Sequence, residues 1–475
     1  MPTRARVVAT LGPVSESSES IRELVDAGAA VFRLNGSHNS LDWHARVIER
    51  IRQTAPSHPI LLDVPGRKIR TGDLGEPREF TAGAVLRFAP AGSCPEDCIP
   101  VNSDQLARLC SVGGPLFADD GTLAFAILAI DGDVVSARAE FGGILRSRKG
   151  INVPDADLGP ARLTESDHRL LAFASSHEVD FVGISFVESA KHVHLVREAL
   201  RGAWPPRIVS KVESARGLEN MSEVIAASDA VMIDRGDLSG ETDLEGVAIR
   251  QKQIIKEAQR FAAPVIVATE MLHSMIAAGT PTKAEVSDIT NAVLDGCAAT
   301  MLSGETAVGA SPAAAVALMS RVIAAAERTQ EGVEAPESVV EGPAGAVSRA
   351  IARLVRDLRL DKVIAVTRTG YAARVLSGAR LPVPILAVSD RAGAARSFGL
   401  LPGVTGVYHS GEFSRSDVSH VPAVLESLWR SRLIDSDDEV LVSALAYPTS
   451  GKRMNHLETH HVGDLATALG WPTDR

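Results

Sequence analysis

The chain has 475 residues, 45% of them hydrophobic, enough for two or three globular domains and incompatible with a disordered polymer. Its 49 basic residues face 59 acidic ones, a formal net charge of -10, so no overall field draws it to nucleic acid or to an anionic membrane surface. An anionic ligand has to be held by a local cluster.

The N-terminal "MPTRARVVATLGP" has too short an apolar run for a signal peptide, and no stretch reaches the ~20 apolar residues of a membrane span. Cys94, Cys98, Cys110 and Cys297 show no metal-type spacing. A soluble cytoplasmic protein with ordinary reduced thiols is expected.

In chain order, short β-branched runs alternate with segments of helical period. The first are "RVVATL" (6–11), "AVFRLN" (30–35) and "PILLD" (59–63). The helix predicted between the first two, "SESIRELVDAG", carries a Ser cap, early acids and a terminal Gly. Between Thr71 and Lys149 the text changes to "AVLRFAP", "TLAFAILAI" and "DVVSARAEF", with turn signals such as "DGD". That reads as an all-β insertion. The alternation then resumes with "FVGISF", "IVSKVE", "AVMID", "PVIVAT" and "ATMLSG", making eight strands in all. Eight β/α repeats predict a TIM (β/α)8 barrel, and the insertion after its third strand stands on the C-terminal face, placed to act as a lid.

Beyond "IAAAERTQ" the polar stretch "EGVEAPESVVEGPAG" reads as a linker. "KVIAVT", "PILAVS" and "EVLVSAL" then alternate with helices in a C-terminal α/β domain. The expected boundaries are 1–71 and 151–330 for the barrel, 72–150 for the lid, and 342–475 for the C-terminal domain.

Polar residues at the C-terminal strand ends of a barrel converge on one site. Here they are Arg33, Asn35, Ser37, Asp63, Ser185, Lys211, Glu213, Asp237, Thr269, Ser303 and Glu305. Lys211 and Glu213 stand two apart on a strand and share a face; alone they read equally well as a surface ion pair. Asp237 in "DRGDLSG" is by itself a turn or cap residue, but paired with Glu213 it suits a Mg²⁺ that keeps several waters. Thr269 reads either as the cap of a helix at "EMLHSM" or as a hydroxyl facing the same pocket. "FRLNGSH" supplies a guanidinium, an amide, a hydroxyl and an imidazole within a few residues, which points to a ligand loop.

Taken in order, "ATLGP", "FRLNGSH", "LLD…IRTG", "DDG", "SRKGIN", "ISFV", "SKVES", "DRGDL", "ATEMLHSM", "PTKAEVSD", "NAVLDG" and "MLSGETAVG" resemble the pyruvate kinases across essentially the whole chain. The resemblance implies transfer of the phosphoryl group of phosphoenolpyruvate to ADP, giving pyruvate and ATP in glycolysis, and usually a homotetramer. It makes Lys211 and Arg33 the cations on the transferring phosphoryl group, and Glu213 and Asp237 the ligands of Mg²⁺ (or Mn²⁺). Gly236, Asp237 and Thr269 match the cradle of the substrate carboxylate, with enolate protonation through Thr269, water and Ser303. Asn35, His38, Arg70 and Lys149 match the nucleotide contacts for ADP/ATP, and Pro13 and Trp43 the adenine contacts.

"DVPGRKIRTG" (63–72) departs from the usual "DTKGPEIRTG". Asn35, Ser37, Asp63 and the carbonyl of Val64 match the family's monovalent-cation site, and Lys68 stands in place of Glu. An ammonium carries the charge of K⁺, worth about 4 kcal/mol to an anion at about 4 Å before desolvation. K⁺ is therefore expected to be dispensable, with a solvated loop lysine as the other reading of Lys68.

Further departures are Pro65 for Lys, Arg67 for Pro, Asp234 for Ala, Glu270 for Gln, Glu188 for Arg and Gly36 for Phe. Arg67 is positioned to restore the charge lost at Pro65; Asp234 and Glu270 bring acids toward the metal and carboxylate sites. In the C-terminal domain Thr367, Thr369 and Gly370 occupy the place of the family's effector-phosphate loop, and "YPTSGKRMN", with Lys452 and Arg453, that of its effector-side turn. A phosphorylated-metabolite effector is expected. The competing readings are a Mg²⁺-dependent pyruvate or oxaloacetate lyase, separable by ADP dependence, and a catalytically silent paralogue.

Overall fold

The computed structural model describes residues 3–119, 121–154, 156, 159–202, 204–330, 340, 342–414, 417–444 and 455–471. Asp120 of the "DDG" motif, most of the linker, and Lys452 and Arg453 with their turn lie outside the described residues.

Eight parallel strands close into a barrel: Arg6–Thr10, Ala29–Asn35, Ile60–Val64, Phe181–Ile184, Arg207–Lys211, Ala230–Asp234, Val265–Ala268 and Ala299–Leu302. They match the eight sequence runs to within a residue or two. The first helix, Ser18–Ala27, is capped by Ser17, whose side chain accepts from Ser20 N, and ends at Gly28 with φ 109°. That left-handed turn costs a glycine little.

Period-two alternation decides what each strand shows to the barrel interior. Val8, Val31, Leu61, Val209, Met232, Ile266 and Met301 fill it as one apolar cluster, which Leu400 of the C-terminal unit joins. The next inward positions on four of these strands are Arg33, Asp63, Lys211 and Asp234. The barrel is thus apolar up to its mouth and charged there.

After the third strand the chain leaves through Ile69–Arg70 and returns through Gly150–Asn152, and these two short strands pair antiparallel, Arg70 opposite Gly150. They form a two-stranded neck. They continue into a seven-stranded mixed sheet, of which they are two strands, and the insertion holds a separate two-stranded sheet. The insertion also carries a single helical turn, Leu106–Leu109, whose Leu106 is fully buried.

The C-terminal sheet has five strands in the order Val404–Tyr408, Ile385–Ser389, Lys362–Val366, Glu439–Ala444 and His456–His461, the last antiparallel. Its three central strands are those expected. The two edge strands were not read from sequence, because each is only half-covered and lacks an apolar run. No helix among the described residues is long and apolar enough to cross a membrane.

Asp180, before the fourth barrel strand, fastens the C-terminal unit to the barrel floor. Its carboxylate accepts from Ile60 N at 2.9 Å, Arg52 Nη2 at 2.6 Å and, from the C-terminal unit, Arg396 Nε at 2.9 Å. Replacing it (Asp180→Ala) leaves two guanidiniums facing each other without their shared counter-ion, with an expected cost of about 2–4 kcal/mol. Urea denaturation followed by tryptophan fluorescence tests this; an unchanged midpoint would contradict it.

Candidate active site

The charged mouth is a pocket of about 220 Å³. Its walls bring together Arg33, Asn35, Ser37, His38, Asp63, Val64, Lys68, Arg70, Lys149, Ser185, Lys211, Asp237, Thr269 and Ser303, fourteen residues that the sequence pointed to as site residues. Glu213 lies buried beneath them, while Pro13 is exposed and Trp43 half-buried outside the pocket.

Arg33 is clamped by its neighbours on adjacent strands. Its Nε donates to Asp63 Oδ2 at 3.0 Å and its Nη1 to Thr10 Oγ1 at 3.1 Å. Asp63 has room because Gly183 lies beside it: a Cβ there would stand 2.1 Å from Asp63 Oδ1. Both side chains are buried, so each needs the other.

Lys211 sits at the end of the fifth strand. Its Nζ lies 3.0 Å from Glu213 Oε2, 3.0 Å from Asp234 Oδ2, and 3.2 Å from Ser185 Oγ, to which it donates. Glu213 falls past the end of the strand, which stops at Lys211, so the expected shared strand face is not what joins them. They meet nonetheless. Lys211 is 4% exposed and Glu213 0%, which rules out the surface ion pair. Burial favours the neutral form of Lys211, yet Asp234 and Glu213 overcome it and hold the ammonium well above its ordinary pKa. Burial pushes Glu213 up to about 8 against the pull of Lys211. For Asp234 burial acts upward too, but Lys211 and Lys68 outweigh it and keep the carboxylate ionised.

Asp237 belongs to the first turn of a short helix, Arg235–Glu241, and its carboxylate pairs with the Lys68 ammonium. Lys68 is 8% exposed, which excludes the solvated loop lysine. Oxygens of Glu213, Asp234 and Asp237 all lie within 4.8 Å of one another. Three hard oxygen donors at that spacing suit a divalent cation such as Mg²⁺ or Mn²⁺.

Thr269 caps no helix. It and Glu270 have φ of 66° and 55°, left-handed values that are rare for a β-branched residue. Arg235 holds the strained turn by donating to the Thr269 carbonyl at 2.6 Å, and Gly236 N donates to Thr269 Oγ1 at 3.0 Å. The hydroxyl and the helix start are thereby locked together at the pocket wall. Ser303 N is fixed by Glu305 Oε2 at 2.7 Å.

On the lid side, Arg70 Nη1 donates to Arg148 O at 3.1 Å, and Lys149 pairs with Asp119 at 2.7 Å. Burial, then Arg70 and Arg33, lower the pKa of His38 and favour its neutral form. Asn35 Oδ1 accepts from Ser37 N at 3.1 Å. Trp43 gives its indole N–H to Glu16 and packs on the helix layer.

Asp234 was noted as a departure but not as a site residue. The signal was present: counting by twos from Ala230 and Met232 puts it inside the barrel. Glu270 is exposed and does not line the pocket. Arg67 does not restore charge to the pocket; it reaches Glu188 at 3.4 Å and the carbonyls of Gly159 and Pro160.

Family models for the pyruvate kinase barrel domain and the pyruvate kinase alpha/beta domain match residues 2–316 and 345–457. The chain belongs to the pyruvate kinase family. Among its relatives, a pyruvate kinase of Agrobacterium vitis is 35% identical over 95% of this chain and 97% of its own length. One of Mycobacterium tuberculosis is 34% identical over 98% and 99%. The crystal structure of a pyruvate kinase from Cryptosporidium parvum superposes with a TM-score of 0.82 at 29% identity, covering 97% of this chain and 96% of that one. The protein is a phosphotransferase acting between phosphoenolpyruvate and ADP, and the lyase and silent-paralogue readings give way to it.

The neck leaves one contact open to a direct test. A Cβ on Gly150 would stand 2.3 Å from Lys68 Cε, so Gly150→Ala is expected to push the flexible lysine end off Asp237 while the fold survives. Amine labelling read by mass spectrometry should then rise at Lys68, and continued protection would refute the contact.

Proposed function

We propose that this pyruvate kinase stabilises the transferring phosphoryl group with Lys211 and Arg33, and that Glu213 and Asp237 hold the Mg²⁺ (or Mn²⁺) its reaction needs. The supporting observation is the buried ammonium of Lys211, held at 3.0 Å by each of two carboxylates at the top of an otherwise apolar barrel. Phosphoryl transfer asks mainly for positioning and for charge stabilisation in a water-poor site. A divalent cation, when bound, supplies further neutralisation of phosphate oxygens.

Arg33 is preorganised by Asp63 and Thr10, so it need not reorganise as charge shifts. Gly236 and Asp237, at a helix start, and Thr269 are assigned to the substrate carboxylate. Thr269 Oγ1 is also assigned, with Ser303 and water, to deliver the proton to the enolate, since an unaided hydroxyl is a poor acid. Asn35, His38, Arg70 and Lys149 are assigned to the nucleotide phosphates, and Pro13 and Trp43, outside the pocket, to adenine.

Lys68 is assigned as the built-in cation. It is buried in the same pocket as Asn35, Ser37, Asp63 and Val64, where its charge needs no capture from solution. In the C-terminal unit Gly370, φ 82°, precedes the helix Tyr371–Gly378, and its N–H donates to Thr367 Oγ1 at 3.1 Å. Thr369 O accepts from Arg207 Nη2 at 2.7 Å, at the foot of the strand that ends in Lys211. This loop is assigned to a phosphorylated effector. Residues 72–150 are assigned as the lid and 342–475 as the effector and assembly unit of a cytoplasmic, glycolytic homotetramer.

Pyruvate formation from phosphoenolpyruvate, ADP and Mg²⁺ is expected to be equal in K⁺-free and K⁺-containing buffers. A rate that appears only with K⁺ would remove the role given to Lys68. Lys211→Met is expected to lower kcat by about 10²–10³-fold or more, with the fold intact by circular dichroism; a near-normal kcat would remove Lys211 from the chemical step.

A further inference from the structure

We propose that Asp234 is a third carboxylate of the divalent-cation site, where it offsets the fixed ammonium of Lys68. The proposal rests on the reading in which Glu213 and Asp237 hold the cation.

Asp234 ends the sixth barrel strand, two residues beyond the interior Met232, so it faces the mouth and is 8% exposed. Its oxygen lies within 4.8 Å of those of Glu213 and Asp237. A cation ligated at about 2.0–2.6 Å by each oxygen separates opposite ligands by about 4–5 Å, so one ion can bridge all three with small side-chain adjustments.

The charges explain why a third acid is needed. Lys68 pairs with Asp237, so that ligand meets an incoming cation with its charge already opposed. Lys211 lies between Glu213 and Asp234. With Glu213 ionised, as a metal ligand must be, two ammoniums face three carboxylates, leaving one negative charge in favour of a cation. Without Asp234 the set would be neutral, and a divalent ion would enter against two fixed positive charges. Of the other charged groups lining the pocket, Arg33 and Asp63 neutralise each other and Lys149 pairs with Asp119, while Arg70 and Arg148 on the lid side add positive charge that a further acid also offsets.

Asp234 would be a mere counter-ion of Lys211 if cation binding ignored it. Mn²⁺ binding to the folded, substrate-free protein, measured by the electron paramagnetic resonance of free Mn²⁺ or by calorimetry, separates the two. Asp234→Ala is expected to weaken Mn²⁺ binding about ten-fold or more, and the near-isosteric Asp234→Asn likewise. Lys68→Met is expected to tighten it, and Lys68→Met with Asp234→Ala to return it near the original affinity. Binding within about two-fold of the original in both Asp234 variants, while Glu213→Gln abolishes it, overturns the proposal and leaves the parent reading standing. An unchanged affinity in Lys68→Met overturns the offset. Mn²⁺ binding that survives both Glu213→Gln and Asp237→Asn overturns the parent reading itself. If Asp234→Ala fails to fold, Asp234→Asn decides by the same criterion.

Discussion

Seven buried ionisable groups share the mouth of one barrel: Arg33, Lys68 and Lys211 against Asp63, Glu213, Asp234 and Asp237. An isolated buried charge is costly, so each of these is tolerable only while its partners are present. That constraint organises the rest of the molecule. The apolar plug below excludes water from under the charges, and the glycines at 183 and 150 leave room for Asp63 and Lys68 to reach their partners.

Rigid strands supply much of the site, and the groups that lie beyond the strand ends are fixed by other means. Asp237 is set by a short helix whose Gly236 amide donates to Thr269, and Thr269 is held in a left-handed turn by Arg235. Strain of this kind persists where surrounding bonds over-determine it, and here it aims a hydroxyl at the pocket. Lys68 enters from the neck of the insertion. Its ammonium therefore ties the lid's base to the helix of Asp237, whereas Lys211 and Arg33 belong to the barrel alone.

The barrel was legible because its buried strands are continuous apolar runs closed by polar residues, a pattern that surface edges do not share. The edge strands Val404–Tyr408 and His456–His461 escaped notice for that reason: Gly406 interrupts one, and the other alternates His and Glu with single apolar or hydroxyl residues. The site was legible through the polar residues at strand ends, and less so where a side chain's partner is remote in sequence. Nothing near Lys211 in the chain announces Asp234, and nothing near Arg67 announces Glu188.

Those two remote pairings bear on how departures from a family pattern should be weighed. Arg67 and Glu188 depart together and bond each other at 3.4 Å, so neither alters the charge of the pocket. Lys68 and Asp234 also depart together, one cation and one acid, and both act on the same carboxylate pair through Asp237 and Lys211. Judged singly, each would look like damage to a charged site. Taken together, the four conserve the total charge, the first pair lowering it by one and the second raising it by one, while moving where it is held, and a low-dielectric mouth is sensitive to both total and placement. A substitution at any one of the four positions should therefore be read against its partner before it is read against the family.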